Sequence, residues 1–369
     1  LGADGNLYGT AQNGGAGGFG VLFKVTPAGT YAVIHSFQGT DGSFPDAGLV
    51  LGADGNLYGT TSYGGPDASC PCGTIFKASP SGVLTTLHSF DYTDGDGPSA
   101  DMVQGADGDF FGTTVSGGTS TACDGRGCGT IFKISSQGSF TSLHSFVFSD
   151  GGEPFAPLVQ ASDGALYGVT FEGGDVGFQG CSGGCGTIFK IAPGGLFAIA
   201  HKFDPAEGGR VFAGLVQATN GSLYGSDAYE GSAGDIFEFT LPRTLAVVYS
   251  FTVASGGGGA AGVLQATDGN LYGTYGAAPG AVFRLEEGLG QFVAFVIPTS
   301  KVGGTAQILG QGLAGTTGVT FNGVEATSFN IVSDTYMTAV VPSGATNGPV
   351  VVTTPTGPLT SNVNFRVIK

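Results

Sequence analysis

The feature that most constrains this chain is a tripeptide written six times: an aromatic residue or leucine, then tyrosine or phenylalanine, then glycine. It is centred on Tyr8, Tyr58, Phe111, Tyr167, Tyr224 and Tyr272, with spacings of 50, 53, 56, 57 and 48 residues. A period near 50 built from short apolar segments and turn residues specifies small sheets stacked around an axis, because one such unit cannot bury both of its faces alone. The expected fold class is all-β, a β-propeller of about six four-stranded blades over residues 1–297. A small β-sandwich over 298–369 follows it.

Each unit reads as four strands, a to d, which in the second copy are Gly48 to Leu51, Asn56 to Thr61, Thr74 to Ala78 and Val83 to Phe90. The a–b turn is Asp-Gly at Asp54, Asp107, Asp163 and Asp268, and Asn-Gly at Asn220. These dipeptides are strong hairpin signals, since both central positions of a type I′ turn need positive φ. From the phenylalanine of strand c to the end of strand d is 14 residues in every unit, Phe23 to Phe37 through Phe283 to Ile297. From there to the next tripeptide is always 21. From the tripeptide to strand c, by contrast, the distances are 15, 18, 21, 22, 13 and 11, so all length variation sits in the b–c loop. In a propeller the b–c and d–a connections share one face, and insertions confined to one face mark a binding surface.

Strand a has five copies where b, c and d have six, which leaves the first blade without its innermost strand. The chain opens on the same ten residues that stand at 51–60, so it starts inside a repeat, and upstream residues are expected in the natural protein. Six blades is the expectation, with seven if the natural chain is longer.

The net charge of −16 disfavours nucleic acid, anionic membrane and polyanionic glycans, all of which require clustered Lys and Arg. No run of 18 apolar residues is present, so no membrane-inserted segment is expected. The six cysteines fall into close pairs, Cys70 with Cys72, Cys123 with Cys128 and Cys181 with Cys185, all in b–c loops. Short loop disulfides point to an oxidising, extracellular or cell-surface setting. A metal held by the six thiolates is the alternative.

Beyond Ile297 the texture changes to period-two alternation through Ala306–Leu309, Gly318–Phe321, Tyr336–Val341, Val350–Thr354 and Val363–Ile368. The pieces Ile308-Leu309-Gly310-Gln311-Gly312-Leu313, Val319-Thr320-Phe321-Asn322-Gly323-Val324, Val340-Val341-Pro342 and Val350 to Thr354 resemble the IPT/TIG immunoglobulin-like family. That resemblance implies a spacer or interaction module. Asp54-Gly-Asn-Leu-Tyr-Gly-Thr-Thr61, Gly73-Thr-Ile-Phe-Lys77 and Leu87-His-Ser-Phe90 resemble the tandem GloVer repeat of choice-of-anchor bacterial surface proteins. This second resemblance covers roughly 1–297 and implies export and surface attachment, with no activity to carry over.

The only histidines, His35, His88, His144 and His201, occupy one position of strand d, which is Tyr249 and Phe295 in the last two units. A residue that recurs once per blade and exchanges with aromatics is part of the scaffold, so no histidine is left over for a triad or a zinc site. Strand c lysines recur in the same way.

Residues that break the repeat are the better functional candidates. Glu172 and Asp175 in the fourth b–c loop, with Asp227, Glu230 and Asp235 in the fifth, bring five acids to one sector. If the protein is an enzyme, a pair of these would serve as acid and base or nucleophile of a glycoside hydrolase or polysaccharide lyase. Tyr63, Phe171, Phe178 and Tyr229 offer ring faces to sugars, and Arg126 adds a cation on the third loop. Asp91, Asp94, Asp96 and Asp101 lie in one d–a connection; calcium is the cofactor their oxygens would suit, and solvated turn residues are the plainer reading.

Three readings follow from the residues. The leading one is a non-enzymatic extracellular binding or adhesion protein for a neutral glycan or a surface protein, contacting it through the b–c loop face. The second is the carbohydrate-active enzyme. The third is a subunit of an extracellular polymer, self-assembling when the incomplete first blade accepts a strand from a neighbour.

Overall fold

The computed structural model describes the chain except for residues 3, 124, 178–180, 228–233, 253–259, 277–279 and 369. No helix occurs among the described residues. Six antiparallel sheets follow one another along the first four-fifths of the sequence. The first holds Leu7–Ala11, Val21–Val25 and Tyr31–Ser36, which are strands b, c and d. The second holds Val50–Leu51, Leu57–Thr61, Thr74–Ala78 and Leu84–Ser89 in that order. The third (Val103–Gln104, Phe110–Thr114, Thr130–Ile134, Phe140–Ser145), the fourth (Val159–Gln160, Leu166–Val169, Thr187–Ile191, Phe197–Lys202) and the fifth (Val216–Gln217, Leu223–Ser226, Asp235–Thr240, Thr244–Ser250) repeat that order. The sixth has three strands, Ala260–Gln265, Leu271–Tyr275 and Ala281–Leu285.

The register explains the tripeptide. The glycine of strand b lies opposite the phenylalanine of strand c in every sheet, from Gly9 and Phe23 to Gly273 and Phe283. The ring folds back over the glycine, so that a Cβ at Gly59 would stand 2.6 Å from Phe76 Cζ and one at Gly112 2.5 Å from Phe132 Cζ. Glycine is kept here for space, with ordinary extended φ. The two residues before it face opposite ways, as successive strand residues must. The leucine position packs on the preceding sheet and the tyrosine position on the following one; Tyr58 and Phe110 stack across that boundary with ring centroids 4.0 Å apart.

Two polar devices tie the connections to the sheets. Each strand d histidine meets an acid six residues on: His35 with Asp41 and His88 with Asp94 at 2.8 Å, His144 with Asp150 at 3.1 Å, and His201 with Glu207 at 2.8 Å. His88 also stacks on Phe140 of the next sheet at 3.7 Å, as His144 does on Phe197. Paired threonines form the second device: Thr61 with Thr74 and Thr114 with Thr130 at 2.9 Å, Thr170 with Thr187 at 3.0 Å. The second threonine of each pair donates to the carbonyl of Asp41, Asp94 or Asp150 of the preceding unit, joining neighbours through half-buried hydrogen bonds.

The last unit departs from the repeat register. Ala294–Phe295, expected in strand d of the sixth sheet, pairs instead with Thr305–Leu309 of the following unit. Val293 is fully buried in the apolar core of that unit, and Phe295 packs edge-on to Phe365 at 5.1 Å. The deeper core takes the strand. That unit comprises one sheet ordered Ala294–Phe295, Thr305–Leu309, Tyr336–Val340, Phe329–Ser333, and another ordered Val324–Glu325, Gly318–Phe321, Val350–Thr354, Gly357–Thr360. Ile308, Phe321, Met337, Val350 and Val352 are fully buried in their shared core, and Thr299–Lys301 runs parallel to Arg366–Ile368 at its edge.

This C-terminal unit sits against the a–b turns. Arg366 donates to the Gln104 side chain at 2.5 Å and to its carbonyl, at the end of the innermost strand of the third sheet. Phe292 N and Gln311 reach Thr267, and Thr219 donates to Gly290 O. The b–c loops emerge on the opposite side.

Two outcomes are expected. Gly112→Ala forces the Phe132 ring from its seat and lowers stability by about 1–3 kcal/mol, the usual range for overpacking, measured as a fall in urea midpoint. The a–b turn carboxylates give a pH dependence: burial of Asp54 opposes ionisation, but the Lys77 ammonium at 2.7 Å, Asn56 and the Tyr58 hydroxyl hold its carboxyl down to about 2. A folded-state value below the unfolded one of about 3.9 stabilises wherever the unfolded group is ionised. The difference in urea midpoint between wild type and Asp54→Asn is therefore expected to hold above about pH 4 and to shrink as pH falls towards 2.

Candidate functional site

The side with the b–c loops is built by a short bridge repeated three times. Each d–a connection pairs with the b–c loop of the next sheet, as Ser43 with Tyr63, Asp96 with Ser116 and Gly152 with Glu172. The residue after or near this bridge is left-handed in each unit: Phe44 at φ 54°, Gly97 at 66°, Glu153 at 53° and Arg210 at 53°. Three of these four are not glycine. Non-glycine residues seldom adopt that conformation, and where they do the surrounding structure holds them there.

Just beyond this point the units diverge chemically. In the second and third, Asp46 and Ser99 meet the buried Ser62, whose hydroxyl donates to Asp46 at 2.6 Å. In the fourth and fifth the same places carry aromatics. Phe171 and Phe212 lie 4.2 Å apart between ring centroids, and Phe155 is 5.8 and 5.5 Å from them. The Arg210 guanidinium lies over Phe171 at 5.2 Å and reaches the Glu172 carboxylate at 4.0 Å. Phe212 is half exposed. The result is an apolar patch bordered by an ion pair, able to stack on flat or C–H-rich surfaces and to exchange hydrogen bonds at its edge.

The structure separates the candidates read from sequence. Tyr63 is exposed and rests edge-on against Phe44 at 5.9 Å. Glu172 joins the aromatic patch, and its carboxylate lies beside Gly183 of the Cys181–Cys185 loop. Asp175 is exposed and paired with Lys202 at 2.7 Å. Asp227 is fully buried and accepts the backbone N–H groups of Gly209 and Asp235 at 3.1 and 2.9 Å. It occupies the place of Thr61, and Asp235 the place of Thr74; Asp227 accepts the backbone N–H of Asp235 as Thr61 accepts that of Thr74. Phe178, Tyr229 and Glu230 lie outside the described residues.

Arg126 is exposed beside Asp96. Among the calcium candidates, Asp94 is engaged by His88, Asp91 accepts from Thr93 at 2.7 Å, and Asp96 accepts from Ser116 at 3.1 Å. Burial pushes the Asp96 carboxyl up against the pull of Ser116 and Arg126. No cluster of three metal-ligating side chains occurs among the described residues. The cysteines are joined within their loops, Cys70–Cys72, Cys123–Cys128 and Cys181–Cys185, with Cα atoms 5.1, 5.3 and 5.2 Å apart.

Sequence reasoning passed over Phe155, Phe212 and Arg210. The signal was there: Phe155 and Phe212 replace Asp46 and Ser99 at a fixed distance from the strand d histidine, a departure from the repeat of the same kind as those in the b–c loops.

Residues 1–178 match the Gloeobacter/Verrucomicrobia repeat family. No curated protein matches the chain in sequence. Among solved structures, selenomethionine-substituted virginiamycin B lyase from Staphylococcus aureus is 11% identical with a TM-score of 0.50, over 88% of this chain and 89% of that one. A streptogramin B lyase structure is 16% identical with a TM-score of 0.48 over 70% of each chain. A gluconolactonase from Xanthomonas campestris is 15% identical with a TM-score of 0.44, over 72% of this chain and 78% of that one. At such identities the likeness is one of fold, and it is propeller-like.

Asp227 supplies the test of how the fifth sheet is held. Asp227→Ala strips an acceptor from two buried N–H groups and is expected to cost about 2–3 kcal/mol. Asp227→Thr places there the residue of the second, third and fourth sheets and is expected to recover most of that loss in a thermal melt.

Proposed function

We propose that the chain is an extracellular or cell-surface binding protein: a propeller of six blades whose loop face takes a neutral glycan or a surface protein, carried by an immunoglobulin-like module of the IPT/TIG type. The observation that carries this reading is the patch of Phe155, Phe171 and Phe212, with Arg210 and Glu172 at its border. It lies on the side opposite the docked C-terminal unit, where the loops vary in length and are closed by disulfides. Aromatic faces edged by a hydrogen-bonding ion pair suit sugar rings, whose C–H faces stack on arenes while hydroxyls seek polar groups. The net charge of −16 favours an uncharged ligand.

The carbohydrate-active alternative asks for two carboxylates facing one cleft. Of its described candidates, Asp227 is engaged by backbone N–H groups, Asp175 by Lys202 and Glu172 by Arg210. The binding reading makes no use of a cofactor.

A glycan array with product analysis of every hit tests the proposal. Retention of a neutral glycan without released sugar is expected, with Phe212→Ala weakening it by roughly 2- to 10-fold, the effect of losing about 0.5–1.5 kcal/mol of aromatic contact. Retention unchanged by Phe212→Ala and Phe171→Ala would remove the patch from the reading, and released product would replace binding with catalysis.

A further inference from the structure

The disulfides follow the length of the loop that carries them. Counted from the strand b tripeptide to the strand c phenylalanine, the spans of 15, 13 and 11 residues hold no cysteine, and those of 18, 21 and 22 each close one ring, Cys70–Cys72, Cys123–Cys128 and Cys181–Cys185. The second cysteine always stands just before the glycine that precedes strand c, so each ring lies where the extra residues rejoin the frame.

That point has a fixed task. The carbonyl of Cys72 accepts the N–H of Gly97 at 3.1 Å, that of Cys128 the N–H of Glu153 at 3.1 Å, and that of Cys185 the N–H of Arg210 at 2.8 Å. These are the left-handed residues of the following unit. In the first unit, with its span of 15, Phe19 stands in the cysteine's place and accepts the N–H of Phe44 at 2.9 Å without a ring. A second carbonyl, inside each ring, faces back into its own loop: Pro71 accepts from Gly64 at 3.2 Å, Arg126 from Gly117 at 2.7 Å and Gly183 from Gly173 at 2.8 Å.

A span of 15 thus delivers its carbonyl unaided. The longer spans add conformations in which the carbonyl would miss its partner, and ring closure removes them. Non-glycine residues stay at positive φ only where the surroundings over-determine them, and at Glu153 and Arg210 this carbonyl is part of what holds them. The fourth loop bears on the aromatic patch directly. Arg210 hangs from the Cys185 carbonyl, and the Glu172 carboxylate lies over Gly183, where a Cβ would stand 3.3 Å from it.

We propose that the three disulfide rings are positioning elements of the loop face: each fixes a carbonyl that holds the left-handed residue of the next unit, and the Cys181–Cys185 ring thereby sets Arg210 and Glu172 at the border of the patch. That a ligand lands on this border rests on the binding reading above; the holding of Arg210 does not.

Hydrogen–deuterium exchange read residue by residue by NMR tests it in two variants, Cys123→Ala with Cys128→Ala and Cys181→Ala with Cys185→Ala. In the first, exchange at Gly117 and Glu153 is expected to rise at least about 10-fold, the mark of local opening, with Gly173 and Arg210 unchanged; in the second the pattern reverses. Phe44, held without a ring, and the strand c amides of the same sheet are expected to keep their rates in both. A third variant replaces Tyr63–Cys72 by the seven residues Asn13–Phe19, which returns the span to 15 and is expected to keep Gly97 protected with no disulfide. Unchanged exchange at Glu153 or Arg210 in its own variant, equal acceleration throughout strand c, or a graft that exposes Gly97 would each overturn the proposal. Weaker glycan retention by the Cys181 and Cys185 variant would support it further, whereas a glycan array silent with wild type would strike the binding reading and leave the exchange pattern to decide this one.

Discussion

The structure depends on one contact, the strand c phenylalanine lying over the strand b glycine. Without a side chain at Gly59 or Gly112 the ring of Phe76 or Phe132 folds onto its own sheet and still presents an edge to the preceding one. The leucine and tyrosine that precede the glycine then face opposite neighbours. A three-residue motif thus fixes the thickness of a sheet, the identity of its two faces and the order in which sheets stack. The histidine–carboxylate and threonine pairs are secondary; they hold the connections against a frame that the phenylalanine and glycine have already set.

Much of this was legible because it is written six times. The b, c and d strands of the first five sheets fall where periodicity puts them, the strand d histidines are scaffold, and the Asp-Gly dipeptides lie in the a–b turns, though with positive φ at the glycine alone and so not as type I′ turns. The end of the row was not legible. Residues near 294 fit the spacing of strand d, yet the neighbouring sandwich buries Val293 completely and takes the strand. Spacing records what a repeat would do by itself, while the competition between two cores is decided only by how much apolar surface each encloses.

The candidate site was half legible for a related reason. Departures from a repeat can be read residue by residue, but which of them meet depends on the bridges between d–a connections and b–c loops. Glu172 meets Arg210 because such a bridge carries its backbone to Gly152, whereas Asp227 turns inward to replace a threonine. The two acids look alike in sequence. One borders an aromatic patch and the other is a strut.

A row of sheets in which each touches only its neighbours also has a direction in which it comes apart. Internal sheets bury both of their faces against neighbours, so local opening costs most in the third and fourth sheets. Amide exchange would then be slowest in those two sheets, whose b–c loops also carry two of the three disulfides.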